Sequence, residues 1–130
     1  MSAESTVNED RPVEIEQVLW IKQGSGIAAS GRVPPDAEYF QDHFPRFPVL
    51  PGVLMLELFR QMAERYYQAK VVVREVGPVK FSNYLRPGQS WEGQMDVVSQ
   101  EDGVACWKGR LRHEGRTIVS ASLSFEIKHA

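Results

Sequence analysis

The 130-residue chain lacks the features that mark secreted and membrane-spanning proteins. Its single cysteine, Cys106, has no second thiol with which to form an internal disulfide. The polar, acidic N-terminus has no basic stretch followed by an apolar one, so it does not resemble a signal peptide. The apolar run 53–56 is far shorter than the roughly 20 residues that cross a bilayer. These absences predict a cytoplasmic protein that does not enter a membrane.

An excess of positive charge is also missing. The chain has 15 basic and 17 acidic residues, a net charge of -2, and no run of five basic residues. Proteins that bind nucleic acid usually cluster Lys and Arg on one face, so no nucleic-acid partner is expected. The hydrophobic fraction of 42% is sufficient for one core. We therefore expect a flexible tail over residues 1–12 and one domain over residues 13–130.

The order of hydrophobic patterns and turn signals predicts an α+β fold. Two strands are expected within residues 13–33 around a turn at 23–26, and a short helical turn is expected over 36–40. A largely buried helix over 51–69 follows, with Pro51 as its first residue and an apolar first turn. The remaining strands are predicted over 71–84 (interrupted near Gly77-Pro78), 91–99, 104–113 and 117–127, with hairpin signals at Asp102-Gly103 and Glu114-Gly115. This order indicates an antiparallel sheet wrapped around one long helix.

The segment over residues 42–61 carries the residues best suited to chemistry. His43 opens a loop stiffened by three prolines, and histidine accepts a proton near neutral pH. Gly52 lies at a predicted helix N-terminus, where free N–H groups stabilise charge that develops on a carbonyl oxygen. Glu57 lies among apolar residues, and burial raises the pKa of a carboxyl group, which suits a proton donor. The three together match removal of an α-proton with loss of a β-hydroxyl.

Each of these three residues could instead have a purely structural role. His43 could simply bond a neighbouring carbonyl in its loop. Glu57 could begin an ordinary solvated stripe, because Arg60, Gln61 and Glu64 follow it at helical spacing. Gly52 could be permissive backbone after a proline.

The segment resembles the signature of the 3-hydroxyacyl–acyl-carrier-protein dehydratases of fatty-acid synthesis, the FabZ and FabA type. That signature stands here as HFPRFPVLPGVLMLE, and the interval from His43 to Glu57 is 57 − 43 = 14 residues, as in the family. Gln61 matches the glutamine of the family's E-x-x-x-Q helix segment. Lys80-Phe81 and the Leu85–Gly88 turn match a later family stretch, although Gln89 replaces its aspartate. The resemblance covers roughly residues 13–127.

The resemblance implies a hotdog fold and a homodimer, or a trimer of dimers, that dehydrates a (3R)-3-hydroxyacyl thioester to a trans-2-enoyl thioester. His43 of one chain is expected to remove the α-proton, and Glu57 of the other to protonate the leaving hydroxyl. Gly52, Val49, Gln61 and Phe81 are expected to bind substrate, with the Gly52 N–H on the thioester carbonyl and the Val49 carbonyl orienting His43. The expected partner is an acyl carrier protein with a phosphopantetheine-linked chain, with no cofactor and no metal.

Departures from the family pattern suggest a specialised member of a lipid or polyketide-like pathway. Asp42 replaces a glycine beside the predicted base, and Leu58, Phe59 and Arg60 replace small residues after the acid. Phe59 is expected to narrow the acyl pocket. Arg60 lies three residues after Glu57, and pairing would lower the pKa of that carboxyl.

Four basic residues are candidates for docking an acidic carrier protein: Lys22, Arg46, Lys80 and Arg86. Two other functions remain: a hotdog acyl thioesterase, in which a carboxylate activates water, and a non-catalytic acyl-binding subunit. The retained histidine favours dehydration, whereas Asp42 and Arg60 keep the non-catalytic alternative open.

Overall fold

The computed structural model describes residues 13–35 and 49–128. Along these residues lie six strands and one helix: β1 (Gln17–Lys22), β2 (Gly26–Arg32), α1 (Gly52–Tyr67), β3 (Lys70–Phe81), β4 (Ser90–Glu101), β5 (Val104–His113) and β6 (Arg116–Lys128). Two strands, a helix and a run of four strands follow in the predicted order, which confirms the α+β class.

The six strands form one antiparallel sheet in the order β1-β2-β4-β5-β6-β3. Helix α1 packs against β2, β3, β4 and β6, so one face of the sheet is covered by the helix. This is the hotdog arrangement that the sequence predicts. Strands β1 and β3 form the two edges of the sheet. Within the described ranges, no helix is long and apolar enough to cross a membrane.

Strand β5 illustrates how the sequence creates the buried face. Ala105, Trp107 and Leu111 are buried at every second position, as a half-buried strand requires. Gly109 occupies the remaining inward position, where an added Cβ would lie 2.7 Å from the ring of Phe59. Phe59, fully buried on α1, fills the space that a side chain on β5 would otherwise take. Close contact of helix and sheet at this point therefore depends on a large residue facing a glycine.

The two predicted hairpin turns are confirmed. Asp102 and Gly103 have φ angles of 54° and 79°, and Glu114 and Gly115 have 50° and 81°. Positive φ at both central residues is what the tight turn between right-twisted antiparallel strands requires. These turns connect β4 to β5 and β5 to β6 and set the register of the sheet.

The predicted interruption near Gly77-Pro78 is a change of register rather than a break. Strand β3 is continuous, but its pairing with β6 shifts between Val73 and Glu75 and again between Val76 and Val79. A proline cannot donate a ladder hydrogen bond, and edge strands tolerate this loss. The same edge exposes apolar side chains, among them Val76 and Phe81.

The helix is shorter than the predicted range 51–69. Pro51 has an extended conformation (φ -60°, ψ 144°) and is the N-cap, so the prediction that it is the first helical residue was wrong by one position. Gln68 ends the helix in the left-handed conformation, with its N–H bonded to the carbonyl of Glu64. The helix is largely buried, as expected, but its apolar first turn includes Val53, which is 71% exposed.

Some predictions fall on residues outside the described ranges. They are the N-terminal tail 1–12, the helical turn 36–40 and the loop that carries Asp42, His43, Arg46 and the prolines at 45 and 48.

Candidate active site

A largely apolar cavity of about 420 Å³ lies at the N-terminal end of α1. Three of the predicted substrate-binding residues, Val49, Gly52 and Phe81, line it together. The remaining lining residues, none of which was predicted to bind substrate, are Leu50, Pro51, Met55, Ser82, Asn83 and Tyr84. The structure therefore joins the start of the helix to the segment that follows β3, although these lie about thirty residues apart in the chain.

Gly52 and Phe81 lie against each other in the wall of this cavity. A Cβ atom on residue 52 would lie 2.7 Å from Cζ of the Phe81 ring, a distance that real side chains do not tolerate. The Phe81 side chain is itself 54% exposed, so the ring covers the glycine on one side and faces open space on the other. Because Gly52 has no side chain, its backbone stays accessible beside the Phe81 ring.

The first turn of α1 begins with a backbone N–H group, that of Gly52, for which the described residues supply no acceptor. The N–H groups of Leu54 and Met55 both donate to the carbonyl of Pro51, at 3.0 and 3.3 Å. Among the described residues, none accepts a hydrogen bond from Gly52, no side chain caps the helix, and its first turn has no acidic residue. An uncapped helix N-terminus with no carboxylate attracts negative charge on a ligand.

The chain entering the helix is held by the segment that follows β3. The Leu50 N–H donates to the Leu85 carbonyl at 2.6 Å, and both side chains are buried. This bond places Val49 on the cavity wall. The imidazole that its carbonyl is predicted to orient belongs to His43, which lies outside the described residues.

Glu57 lies on a different side of the helix from Gly52. Five residues of an α-helix correspond to a rotation of about 140° and a rise of about 7.5 Å. Glu57 does not line the cavity at the helix start. Within one chain, Glu57 therefore lies outside the cavity that Gly52 lines.

The Glu57 carboxylate is paired with Arg60, as the spacing predicted. Arg60 Nε donates to Glu57 Oε1 at 2.8 Å, and Nη2 donates to Oε2 at 2.7 Å. The bidentate bond lowers the pKa of Glu57, whereas partial burial opposes this change and the Gln61 amide adds to it. The carboxyl expected to be a proton donor is thus held in a setting that favours the ionised form.

Gln61 joins three parts of the molecule. Its Nε2 donates to the Val13 carbonyl at 3.0 Å and to Glu57 Oε2 at 3.2 Å. Its Oε1 accepts a bond from the Ile15 N–H at 3.0 Å. Through these contacts Gln61 fixes the segment before β1 to the helix and supports Glu57, and the structure places it away from the cavity that holds Val49, Gly52 and Phe81.

A second, basic cavity of about 300 Å³ adjoins the first, since Asn83 and Tyr84 line both. Arg86, His113 and Arg116 also line it, and no described carboxylate does; its other lining residues are Gln89 and Ile118. Asn83 connects the two sides of this cavity by donating to the Thr117 carbonyl at 2.7 Å and accepting from Arg116 at 2.8 Å.

The four predicted docking residues are distributed unevenly around the molecule. Arg86 lines the basic cavity, whereas Lys80 lines a separate cavity with Lys108 and Arg110, and Lys22 ends strand β1. Arg46 lies outside the described residues. His113 and Arg116 were not among the predicted docking residues, because they reach the cavity only through the pairing of β3 with β6, which brings the β5–β6 hairpin beside Ser82 and Asn83.

Residues 20–120 match the model of the ApeI-like family, described as ApeI dehydratase. The chain is also similar to curated 3-hydroxyacyl-[acyl-carrier-protein] dehydratases FabZ. The protein from Oenococcus oeni is 30% identical over 121 residues, which cover 88% of this chain and 87% of that one. The protein from Oceanobacillus iheyensis is 26% identical over 121 residues, which cover 88% and 86%.

Solved structures with the same hotdog architecture include both dehydratases and thioesterases. A chain of the dehydratase heterocomplex ApeI:P from Xenorhabdus doucetiae superposes with a TM-score of 0.73 and 17% identity, covering 90% of this chain and 84% of that one. A hypothetical thioesterase from Streptococcus pneumoniae, solved with coenzyme A, gives a TM-score of 0.70 and 11% identity, covering 92% and 94%. At these identities the structural likeness establishes the fold alone.

Proposed function

The chain belongs to the ApeI-like dehydratase family, and we propose that it dehydrates a (3R)-3-hydroxyacyl thioester, carried by an acyl carrier protein, to a trans-2-enoyl thioester. It is therefore a hydro-lyase of lipid or polyketide-like biosynthesis. The observation that carries this proposal is the apolar cavity at the N-terminus of α1, which no described side chain caps, in a chain whose residues 20–120 match a dehydratase family.

The thioester binds with its carbonyl oxygen at the Gly52 N–H. As the α-proton leaves, negative charge develops on that oxygen, and an oriented N–H group at a helix N-terminus stabilises it. Phe81, Met55 and Leu50 supply an apolar wall for the carbons next to the thioester. Because Gly52 has no side chain, the carbonyl can approach the backbone beneath the Phe81 ring.

Two proton transfers complete the reaction. His43 removes the proton from C2, and the electrons of the C2–H bond form the C2=C3 double bond. The C3–O bond breaks, and Glu57 donates a proton so that the hydroxyl leaves as water. His43 then returns its proton to Glu57 through solvent or product water, which restores both groups.

We assign the two proton-transfer groups of one site to different chains of a homodimer. Glu57 is turned about 140° from Gly52 on its own helix, so a second chain is needed to bring a carboxyl to the cavity. The exposed apolar residues Val53, Val72, Val76 and Phe81 on the helix start and edge strand β3 are available for an interface next to the cavity. A homodimer with twofold symmetry contains two such sites.

Mixing two inactive variants tests the shared site. His43→Ala and Glu57→Gln are each expected to lose enoyl formation by about a hundredfold or more. When equal amounts of the two variants are mixed and allowed to exchange subunits, half of the dimers contain one chain of each variant. In such a mixed dimer, one of the two sites has both His43 and Glu57 intact. We expect recovery of about a quarter of wild-type activity. No recovery despite demonstrated exchange would place both groups in one chain and overturn the shared site.

We further propose that the basic cavity receives the phosphodiester of the phosphopantetheine arm. Arg116 is held in place by Asn83, and Arg86 and His113 lie on the same cavity. Guanidinium groups pair well with phosphate oxygens. The wall shared by the two cavities, Asn83 and Tyr84, gives the arm a continuous path from phosphate to thioester.

Two substrates distinguish this contact from a general effect on the enzyme. Arg116→Ala is expected to raise KM for a carrier-protein substrate roughly tenfold, the change typical for loss of one charged contact. KM for an N-acetylcysteamine thioester, which has no phosphate, should stay unchanged. Lys108→Ala, on the other cavity, is the matched control. An equal change with both substrates would contradict the proposal.

A thioesterase remains the second candidate, since the S. pneumoniae thioesterase shares the fold and Glu57 is in a setting that favours a carboxylate base. One assay separates the candidates. Absorbance of the enoyl thioester reports dehydration, and release of free thiol from the same 3-hydroxyacyl substrate reports hydrolysis. Thiol release without enoyl product would replace our proposal with the thioesterase, and neither product across several chain lengths would indicate an acyl-binding subunit.

A further inference from the structure

Arg60 is held between two carboxylates on one face of α1. Toward the helix start it makes the bidentate pair with Glu57, at 2.8 and 2.7 Å. Toward the helix end its Nη1 lies 2.7 Å from Glu64 Oε2. The Arg60 and Glu57 side chains are only 29% and 28% exposed, so the pair is partly screened from water.

Glu64 is fixed by a contact outside the helix. The Val71 N–H, at the start of β3, donates to Glu64 Oε2 at 3.1 Å. The carboxylate that anchors the far end of Arg60 is therefore attached to the sheet. Because its guanidinium is held at both ends, Arg60 has a defined position, unlike a long exposed side chain that pairs only transiently.

Both oxygens of Glu57 face hydrogen-bond donors. Oε1 accepts from Arg60 Nε, and Oε2 accepts from Arg60 Nη2 and Gln61 Nε2. Three N–H donors therefore bond a carboxylate that has about four lone-pair sites, and each of these bonds favours the ionised form over the protonated one. Among the described residues, Glu64 is the second carboxylate paired with Arg60.

We propose that Arg60 is a positioning residue that keeps Glu57 ionised in the resting enzyme and so limits the fraction of molecules able to protonate the departing hydroxyl. This inference rests on the proposed function. Dehydration requires Glu57 protonated and His43 neutral at the same moment. The carboxyl loses its proton at lower pH than an ordinary imidazole does, so the reactive combination is a minor form between the two titrations.

The pH of the acidic limb and the height of the kcat/KM plateau should change together when Arg60 is removed. Between the two titrations, the fraction in the reactive form increases tenfold for each unit by which the lower titration moves toward the upper one. Removing Arg60 should therefore move the acidic limb of the kcat/KM profile to higher pH and raise the plateau by the matching factor. A side chain with only a structural role would not produce this paired change.

Arg60→Ala and Arg60→Met test the link, and the methionine preserves most of the packing of the aliphatic stem. Arg65→Ala, an exposed arginine of the last turn, is the matched control and should change neither quantity. Thermal unfolding establishes that each variant is folded. A plateau that falls or stays constant while the acidic limb does not move would overturn the role of Arg60.

Titration of the Glu57 carboxyl by ¹³C NMR provides a measurement that does not need turnover. We expect its midpoint to rise in Arg60→Met and to stay unchanged in Arg65→Ala. An unchanged midpoint in Arg60→Met would contradict the inference. If the Glu57 midpoint rises in Arg60→Met but no variant forms enoyl product, the effect of Arg60 on Glu57 stands and the proposed dehydration is refuted.

Discussion

The two halves of helix α1 differ in how completely their polar groups are satisfied. At its start, Gly52 has an N–H group without a described acceptor and lies beside an apolar cavity. Near its middle, Glu57, Arg60, Gln61 and Glu64 bond one another and adjacent backbone. Unsatisfied groups next to a cavity are available to a ligand, whereas satisfied ones must first break bonds. The start of the helix is therefore available to a ligand, whereas its centre restrains a carboxylate.

The largest expected effect tests the packed centre. Phe59→Ala removes a fully buried ring that lies against Gly109 and should lower the free energy of unfolding by about 3–5 kcal/mol. Val53→Ala, at the exposed helix start, should cost less than about 0.5 kcal/mol. Urea denaturation measures both, and similar values for the two variants would show that the halves do not differ in packing.

Gly52→Ala tests the open end. The added Cβ would collide with Phe81, so either the ring moves or the carbonyl site closes. We expect kcat/KM to fall by about a hundredfold, the scale of losing one oriented oxyanion donor, without loss of stability, because alanine is favourable in a helix. In Gly52→Ala combined with Phe81→Ala the collision is removed, and part of the activity should return. Wild-type rates in the single variant would exclude Gly52 from the site.

Gln61→Ala tests whether the centre of the helix supports the segment before β1. The change leaves the Val13 carbonyl and the Ile15 N–H without their partner, which should cost about 1–3 kcal/mol of unfolding free energy. Gln68→Ala removes an exposed bond to the Arg65 carbonyl and serves as control, with an expected cost below about 0.5 kcal/mol. Equal costs would mean that the contacts of Gln61 are structurally unimportant.

The smallest expected effect is the dependence of stability on pH. Arg60 lowers the pKa of Glu57 in the folded chain, so the pair stabilises the fold above the unfolded value of 4.5. This contribution, below about 1 kcal/mol, is lost as the pH falls through the folded pKa. Unfolding curves of wild type and Glu57→Gln should converge below pH 4.5. A constant difference down to the lowest pH would show that the carboxylate does not stabilise the fold.

Local signals in the sequence were sufficient for most of the fold. The Asp-Gly and Glu-Gly turns and the extent of β5 depend on near neighbours, and both were predicted correctly. The helix was placed within two residues of its true ends, and the error at Pro51 arose because a proline suits either the N-cap or the first helical position.

The candidate site was predictable where it follows a contiguous motif and not where it depends on tertiary pairing. The contact of Gly52 with Phe81 matches two stretches that the resemblance singled out, although nothing local indicated that they meet. The pair of Arg60 with Glu57 followed from helical spacing. Arg116 bonds Asn83 at the basic cavity, a contact that depends on the pairing of β3 with β6.

The contact between Gly52 and Phe81 also restricts the order in which the two positions can change during evolution. A side chain at position 52 would collide with the ring and is expected to lower activity, whereas a smaller residue at position 81 meets no obstacle from glycine. Substitution at 81 is therefore expected first along any lineage that alters both positions and keeps the activity. In a set of relatives, glycine at 52 should accompany every aromatic residue at 81, and alanine at 52 should occur only beside a small one.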